Sequence, residues 1–321
     1  MRLGVFARDK IVLTFYDKRR CNIEPVFDIT HFKDLYPFTS NYIDINGLQY
    51  HYLDEGEGSP VLMLHGNPTW SFYYRGLVKD LSLSMRCIVP DHMGCGLSDR
   101  PGTRDYGFHL EDRVNDLQCL TDHLALSGKV SLIVHDWGGM IGMAWALRNL
   151  EKIRRIVVLN TAGFFPPAAK GLPLRLWLIR HLRFFAIPAV LCGNVFARAA
   201  LTMAPRKRLS ADIKAALVAP YNSTHNRLAT LKFVQDIPVH SNDPSYATVK
   251  AVDENLHKLS SIPLMICWGK HDFVFDLDYY KEWRRRFPEA PAHLLEDAGH
   301  YLLEDEPERV LALVQDFFQK T

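Results

Sequence analysis

The chain has 321 residues, 48% of them apolar and 23% charged, a composition that can bury a large core. Its 38 Lys and Arg against 36 Asp and Glu leave a formal charge of +2, so nothing argues for nucleic acid as a partner. The six cysteines (Cys21, Cys87, Cys95, Cys119, Cys192, Cys267) show no Cys-x-x-Cys spacing. Cys87, Cys119 and Cys267 lie in apolar stretches and are expected as buried, reduced thiols, which implies a cytoplasmic setting.

Residues 1–40 read as an N-terminal arm. Charged residues interrupt the apolar run over residues 1–16, so it holds neither an unbroken signal-peptide core nor a transmembrane span. Lys18-Arg19-Arg20 follows. The simplest role is packing on the protein surface or on a neighbouring subunit. A membrane-surface contact or a homo-oligomerisation element is the alternative.

Regular patterning begins at Asn41. Tyr42-Ile43-Asp44-Ile45 and Leu48-Gln49-Tyr50-His51-Tyr52 alternate around Asn46-Gly47, the signal of a type I′ hairpin. Short apolar strands are predicted at 61–64 and 86–89, ending at His65-Gly66 and Pro90-Asp91. A helical stripe of Leu110, Val114, Leu117 and Leu120 predicts a helix from about 109 to 126. A strand at 130–134, a helix at 140–150 and a strand at 155–159 follow. Such alternation predicts a mostly parallel central sheet with helices on both faces.

The rhythm breaks between residues 163 and 256, where proline-interrupted helical stripes appear and no strand pattern does. It resumes at 262–268 and 292–295. A helical lid over 163–256, inserted in a core of 41–162 and 257–321, is therefore expected above the carboxyl ends of the strands, where ligands bind in open α/β sheets. Residues 175–191, rich in Leu, Trp, Phe and Arg, read as a lid helix lining an apolar pocket, with membrane contact as the other reading.

Chemistry concentrates at the strand ends. In His135-Asp136-Trp137-Gly138-Gly139 a β-branched strand stops at a polar pair and a helix begins, the pattern of a nucleophile elbow. Serine would mark an esterase; the apex here is Asp136. A carboxylate attacks well at saturated carbon, forming an ester as it displaces a leaving group. Asp272, in Gly269-Lys270-His271-Asp272, emerges at the same rim, and His300, in Asp297-Ala298-Gly299-His300, lies on the loop after the last strand. A lone Asp after a strand most often caps a helix, and a lone His is usually a surface or core residue. The order nucleophile, acid, histidine at three strand ends points instead to a triad. His65-Gly66-Asn67-Pro68-Thr69-Trp70 adds a turn whose backbone N–H can face developing negative charge. Taken singly, Asn67 is a turn residue and Trp137 a packing residue. Together their amide and indole N–H groups can hold a halide or carboxylate leaving group. No metal-spacing motif is present, and this chemistry asks for no cofactor.

With Asp91-His92-Met93-Gly94-Cys95-Gly96-Leu97-Ser98-Asp99, these motifs make the chain resemble the haloalkane dehalogenases of the α/β-hydrolase superfamily from about residue 36 to 318. The resemblance implies Asp136 as nucleophile, His300 as base, Asp272 as its orienting acid, and Asn67 and Trp137 as leaving-group and oxyanion donors. One family branch carries the acid after the strand that precedes the lid. Here that stretch reads Leu159-Asn160-Thr161 and has no carboxylate, which leaves Asp272. This combination is similar to the third dehalogenase subfamily, which also holds the β-lactone decarboxylases of bacterial olefin biosynthesis. Gly193-Asn194-Val195-Phe196-Ala197 and Phe233-Val234-Gln235-Asp236-Ile237-Pro238 add to that likeness. The implied activity is cleavage of a carbon–halogen bond through an aspartyl-alkyl ester that water, activated by His300, then hydrolyses. The first alternative is decarboxylation of a β-lactone by the same residues. Epoxide hydrolysis, with Tyr221 and Tyr246 as phenol donors, and a non-catalytic hydrolase-like binding protein rank below. In each enzymatic reading the partner is a small apolar substrate.

Overall fold

The computed structural model describes residues 27–126, 128–167 and 171–321. Residues 1–26 of the expected arm lie outside that range. The end of the arm packs on its own chain: Phe27 and Tyr36 are buried, with ring centroids 5.5 and 5.1 Å from Trp70.

Eight strands form one sheet in the order β1-β2-β4-β3-β5-β6-β7-β8. They are β1 Ser40–Ile45, β2 Leu48–Glu55, β3 Pro60–Leu64, β4 Arg86–Pro90, β5 Val130–Asp136, β6 Ile153–Thr161, β7 Leu264–Gly269 and β8 Ala292–Leu295. The β1–β2 and β2–β4 pairs are antiparallel, and the remaining five pairs are parallel. Ile45 pairs with Leu48 across a two-residue turn in which Asn46 and Gly47 both take positive φ, as the I′ signal requires.

Successive strand residues feed opposite faces, which is why the central strands are apolar throughout. Leu62, Leu64, Val134, Ile156 and Val158 pack with Trp145 and Trp283 on one face. Val61, Met63, Ile133, Val157 and Met265 pack with Val310, Val314 and Phe317 on the other. The covering helices are α1 Arg75–Leu81, α2 Leu110–His123, α3 Trp137–Arg148, α9 Tyr246–Asn255, α10 Leu277–Arg286, α11 Leu302–Asp305 and α12 Pro307–Lys320. Between β6 and β7, ahead of α9, lie α4 Leu174–His181, α5 Arg183–Ala186, a π-helical turn Ile187–Cys192, α6 Val195–Met203, α7 Ala211–Val218 and α8 Leu228–Gln235. These inserted helices share a small core of Ile179, Ala186, Val190, Leu231 and Val234.

Two local expectations are corrected. Cys119 is exposed, because it sits on α2 opposite the stripe of Leu117 and Leu120, whereas Cys87 and Cys267 are buried. Helix α3 begins at Trp137, directly after the apex residue, and not at 140. Glycine's low helix propensity hid the start.

Candidate active site

Strand β5 ends on Asp136, whose backbone stands at φ 51°, ψ −127°, a region that side-chain-bearing residues seldom adopt. Three contacts hold it there. The Thr161 hydroxyl donates to the Asp136 carbonyl. Gly138 runs so close to the Leu64 carbonyl of β3 that a Cβ there would overlap it, and a Cβ on Gly66 would occupy the space of the Asp136 carboxylate. The carboxylate also sits at the N-terminus of the 12-residue α3, where the helix dipole favours negative charge.

The two carboxylate oxygens have different surroundings. Oδ1 accepts the Asn67 backbone N–H at 2.7 Å, and the Trp137 backbone N–H also donates to the carboxylate. Oδ2 lies 3.5 Å from His300 Nε2. Burial alone would raise the Asp136 pKa, but His300 and these N–H groups lower it, so the group is ionised.

His300 Nδ1 donates to Asp272 Oδ2 at 2.7 Å. Asp272 Oδ2 also accepts from Asn160 Nδ2 at 2.8 Å, while its Oδ1 accepts the backbone N–H groups of Val274 and Phe275 at 2.7 and 3.0 Å. Burial disfavours the His300 cation. The Asp272 and Asp136 carboxylates outweigh it and lift the ring to about 10. The resting site is thus an imidazolium between two carboxylates.

Asn67 is buried, and its Nδ2 donates to the Thr230 carbonyl of α8 at 3.0 Å. That acceptor fixes which end of the amide is nitrogen, since the reverse orientation would set two oxygens face to face. The second N–H of the amide remains for the cavity, which Asn67 lines. The Trp137 ring packs on Phe233 of the same inserted helix, centroids 5.3 Å apart. Asn67, Asp136, Trp137 and His300 thus border one cavity of about 450 Å³, walled by apolar side chains such as Phe164, Ile179, Val190 and Phe196. A cavity of this size and character suits an apolar ligand with one polar end. Neither Tyr221 nor Tyr246 lines it; the Tyr221 hydroxyl donates to the Thr69 carbonyl at 3.3 Å. Among the described residues, no cluster of His, Cys, Asp and Glu is arranged to hold a metal ion.

The profile of the α/β hydrolase fold family matches residues 59–307, from β3 through the His300 loop. The chain belongs to the α/β-hydrolase family. This hydrolase is 45% identical to a cis-3-alkyl-4-alkyloxetan-2-one decarboxylase of Shewanella oneidensis, across 89% of the chain and 90% of that protein. It is 38% identical to a protein of the same name from Xanthomonas campestris, over 89% and 97%. It is 31% identical to haloalkane dehalogenase 2 of Mycobacterium tuberculosis, over 91% and 99%. Among solved structures, a haloalkane dehalogenase of Agrobacterium tumefaciens superposes with a TM-score of 0.78 at 23% identity, over 88% and 96% of the two chains, a likeness of fold.

Sequence reasoning missed several residues that hold the hydrolase site together. Asn160, at φ 33°, fastens Asp272 and also accepts the Gly269 backbone N–H at 2.7 Å. The buried Asp305 accepts the backbone N–H of Gly299, just before His300, at 2.8 Å, and those of Arg206 and Lys207, at the foot of the insertion, at 2.8 and 2.7 Å. Asp91 accepts the Ser71 and Leu97 backbone N–H groups at 2.7 and 2.8 Å. His65 Nε2 accepts the His92 backbone N–H at 3.0 Å, which pins the turn carrying Asn67. Of these, His65 and Asp91-His92 stand within motifs legible in the sequence, Asn160 is marked there only by the lack of a carboxylate, and Asp305 left no signal.

Proposed function

We propose that this hydrolase decarboxylates β-lactones bearing alkyl chains at C3 and C4, releasing an alkene and CO₂. The observation that carries this choice is the 45% identity, over nine-tenths of both chains, with a protein named for that reaction, against 31% with a dehalogenase. The site geometry supports it.

In this reading Asp136 Oδ2 attacks the ring carbon C4, forming an ester bond as the C4–O bond breaks. The ring oxygen leaves as a carboxylate, received by the Asn67 amide and the Trp137 indole. Asp136 Oδ1 becomes the ester carbonyl oxygen, already held by the Asn67 backbone N–H. Next the C2–C3 bond breaks, and its electron pair forms the C3=C4 double bond. The C4–O bond to Asp136 breaks in the same step, which returns the free carboxylate and releases CO₂. Atoms and electrons balance without water, and the His300 cation offsets the negative charge on both sides of the step.

The same residues serve a second reading, displacement of halide from an alkyl carbon, which the 31% identity with a dehalogenase supports. There the ester must be hydrolysed, so His300 must lose its proton and act as base. Esterification of Asp136 removes one of the two carboxylates that hold that proton.

Offering a cis-3,4-dialkyl β-lactone and a 1-bromoalkane side by side, with products read by gas chromatography, separates the two. Alkene is expected from the lactone, with no oxygen from labelled water entering the Asp136 carboxylate; alcohol and halide from the bromoalkane alone would overturn the assignment. The variant His300→Gln sharpens it. With a bromoalkane it should release one equivalent of halide and carry the alkyl mass on Asp136, whereas alkene formation from the lactone should persist.

A further inference from the structure

The cavity opens onto an apolar surface. Leu174 and Trp177 on α4 are 71% and 42% exposed, and Phe184 on α5 is 78% exposed. Beside them Phe185, Val195 and Phe273 are exposed and also line the cavity, so the patch surrounds its mouth. Single exposed apolar residues are ordinary; a contiguous set on neighbouring helices marks a contact surface.

The segment that carries most of the patch is one-sided in charge. Residues 171–211 contain seven Lys and Arg and no Asp or Glu, in a chain that is nearly neutral as a whole. Arg175 lines the cavity beside Leu176, and Arg198 is exposed on α6. Arg180 is already committed to Asp243 at 2.7 Å, and Lys207 to Glu306 at 2.6 Å. Buried Ala186, Val190 and Ala197 turn the inner faces of these helices toward the protein, leaving the outer faces apolar and basic.

We propose that this face docks the hydrolase on an anionic phospholipid bilayer, with the cavity mouth set at the headgroup level. Charge complementarity selects this occupant. A second copy of the chain would bring its own basic face, whereas an anionic lipid surface matches both the arginines and the protruding Trp, Phe and Leu side chains. The helices lie on the membrane and do not cross it. Phe184–Cys192 and Val195–Met203 bend by 72° where they meet. Each spans at most about 14 Å at roughly 1.5 Å per residue, under half of a hydrocarbon core of about 30 Å. Docking there lets an apolar substrate enter, or an apolar product leave, without crossing water. The proposal rests on the surface alone and is independent of which bond the site breaks.

Co-sedimentation of the full chain with vesicles tests it, using phosphatidylcholine alone and phosphatidylcholine mixed with phosphatidylglycerol. Binding is expected on the mixed vesicles, falling about tenfold in the double variant Leu174→Ser/Phe184→Ser and falling again in high salt. Neither side chain lines the cavity, and circular dichroism of the variant should match the parent. In the parent chain, brominated lipid should quench part of the tryptophan fluorescence, and Trp177→Phe should abolish that quenching. No sedimentation at saturating lipid, equal binding to neutral vesicles, or binding indifferent to the double variant overturns the proposal. Concentration-dependent dimerisation that the double variant abolishes, without vesicle binding, would assign the face to a second copy instead.

Discussion

A carboxylate that attacks carbon must be ionised, desolvated and held still, and Asp136 owes all three to its neighbours. If it is the nucleophile, Asp136→Ala should abolish turnover with the fold intact, as judged by circular dichroism. Asn67→Ala removes one side-chain donor but leaves the backbone N–H in place, so kcat/KM should fall by on the order of 10²-fold. A loss below about threefold would return Asn67 to the role of a turn residue. The charged triad also makes stability depend on pH. His300 binds its proton up to about 10 in the folded protein, against an ordinary value near 6.5. Its contribution is therefore complete below about pH 6.5 and is lost as pH rises through 10. Asp136, held low, contributes above the ordinary carboxylate range and loses its share as pH falls below that range through the lowered folded value. The Tm gap between the parent chain and His300→Gln should accordingly be wide at pH 7 and narrow as pH nears 10. An equal gap at both values would show that the ring is not held as a cation.

The elements follow from the sequence unequally, and the reason is physical. Strands buried on both faces must be apolar, so β3, β5, β6 and β7 are visible as short apolar runs, and the candidates Asp136 and Asp272 follow from the ends of β5 and β7, with His300 on the loop after β8. Asn160 and Asp305 were not visible, since what they do depends on partners 112 and 99 positions away in the chain. Asn160 marks a strand end where a carboxylate is sought and not found; its amide instead orients the carboxylate that follows the next strand. Asn160→Ala should cost about 1.5–3 kcal/mol, the usual value of hydrogen bonds to a charged group, and should lower kcat more than it raises KM. Chemical denaturation together with steady-state kinetics reads both. A variant of unchanged stability and rate would mean that the Val274 and Phe275 backbone N–H groups hold Asp272 unaided. The helix start at Trp137 escaped prediction because Gly138 and Gly139 are poor helix formers, yet the close approach of α3 to β3 and β6 admits no side chain at either position.

Across the whole molecule the sheet is the fixed part and the inserted helices are the part that decides access. Asp305 joins the two, binding the backbone before His300 and the backbone at the foot of the insertion with one carboxylate. Asp305→Asn should therefore disturb both, lowering Tm and slowing turnover together. Limited proteolysis should find residues 204–208 cut faster, and a change in one property without the other would separate the two roles.

The hydrogen bond from Asn67 to the Thr230 carbonyl has a thermodynamic corollary. An anion at Asn67 and the seating of α8 draw on opposite hydrogens of one amide, so they share a coupling free energy that must be reciprocal. If a seated α8 tightens the grip on bromide, bromide must tighten α8 by the same factor. Amide hydrogen exchange along residues 228–235 should then slow as bromide is added, with a midpoint equal to its dissociation constant. In Asn67→Ala that segment should exchange faster and ignore the salt. Recognition of the departing group and closure over the substrate would then be one equilibrium observed from two ends.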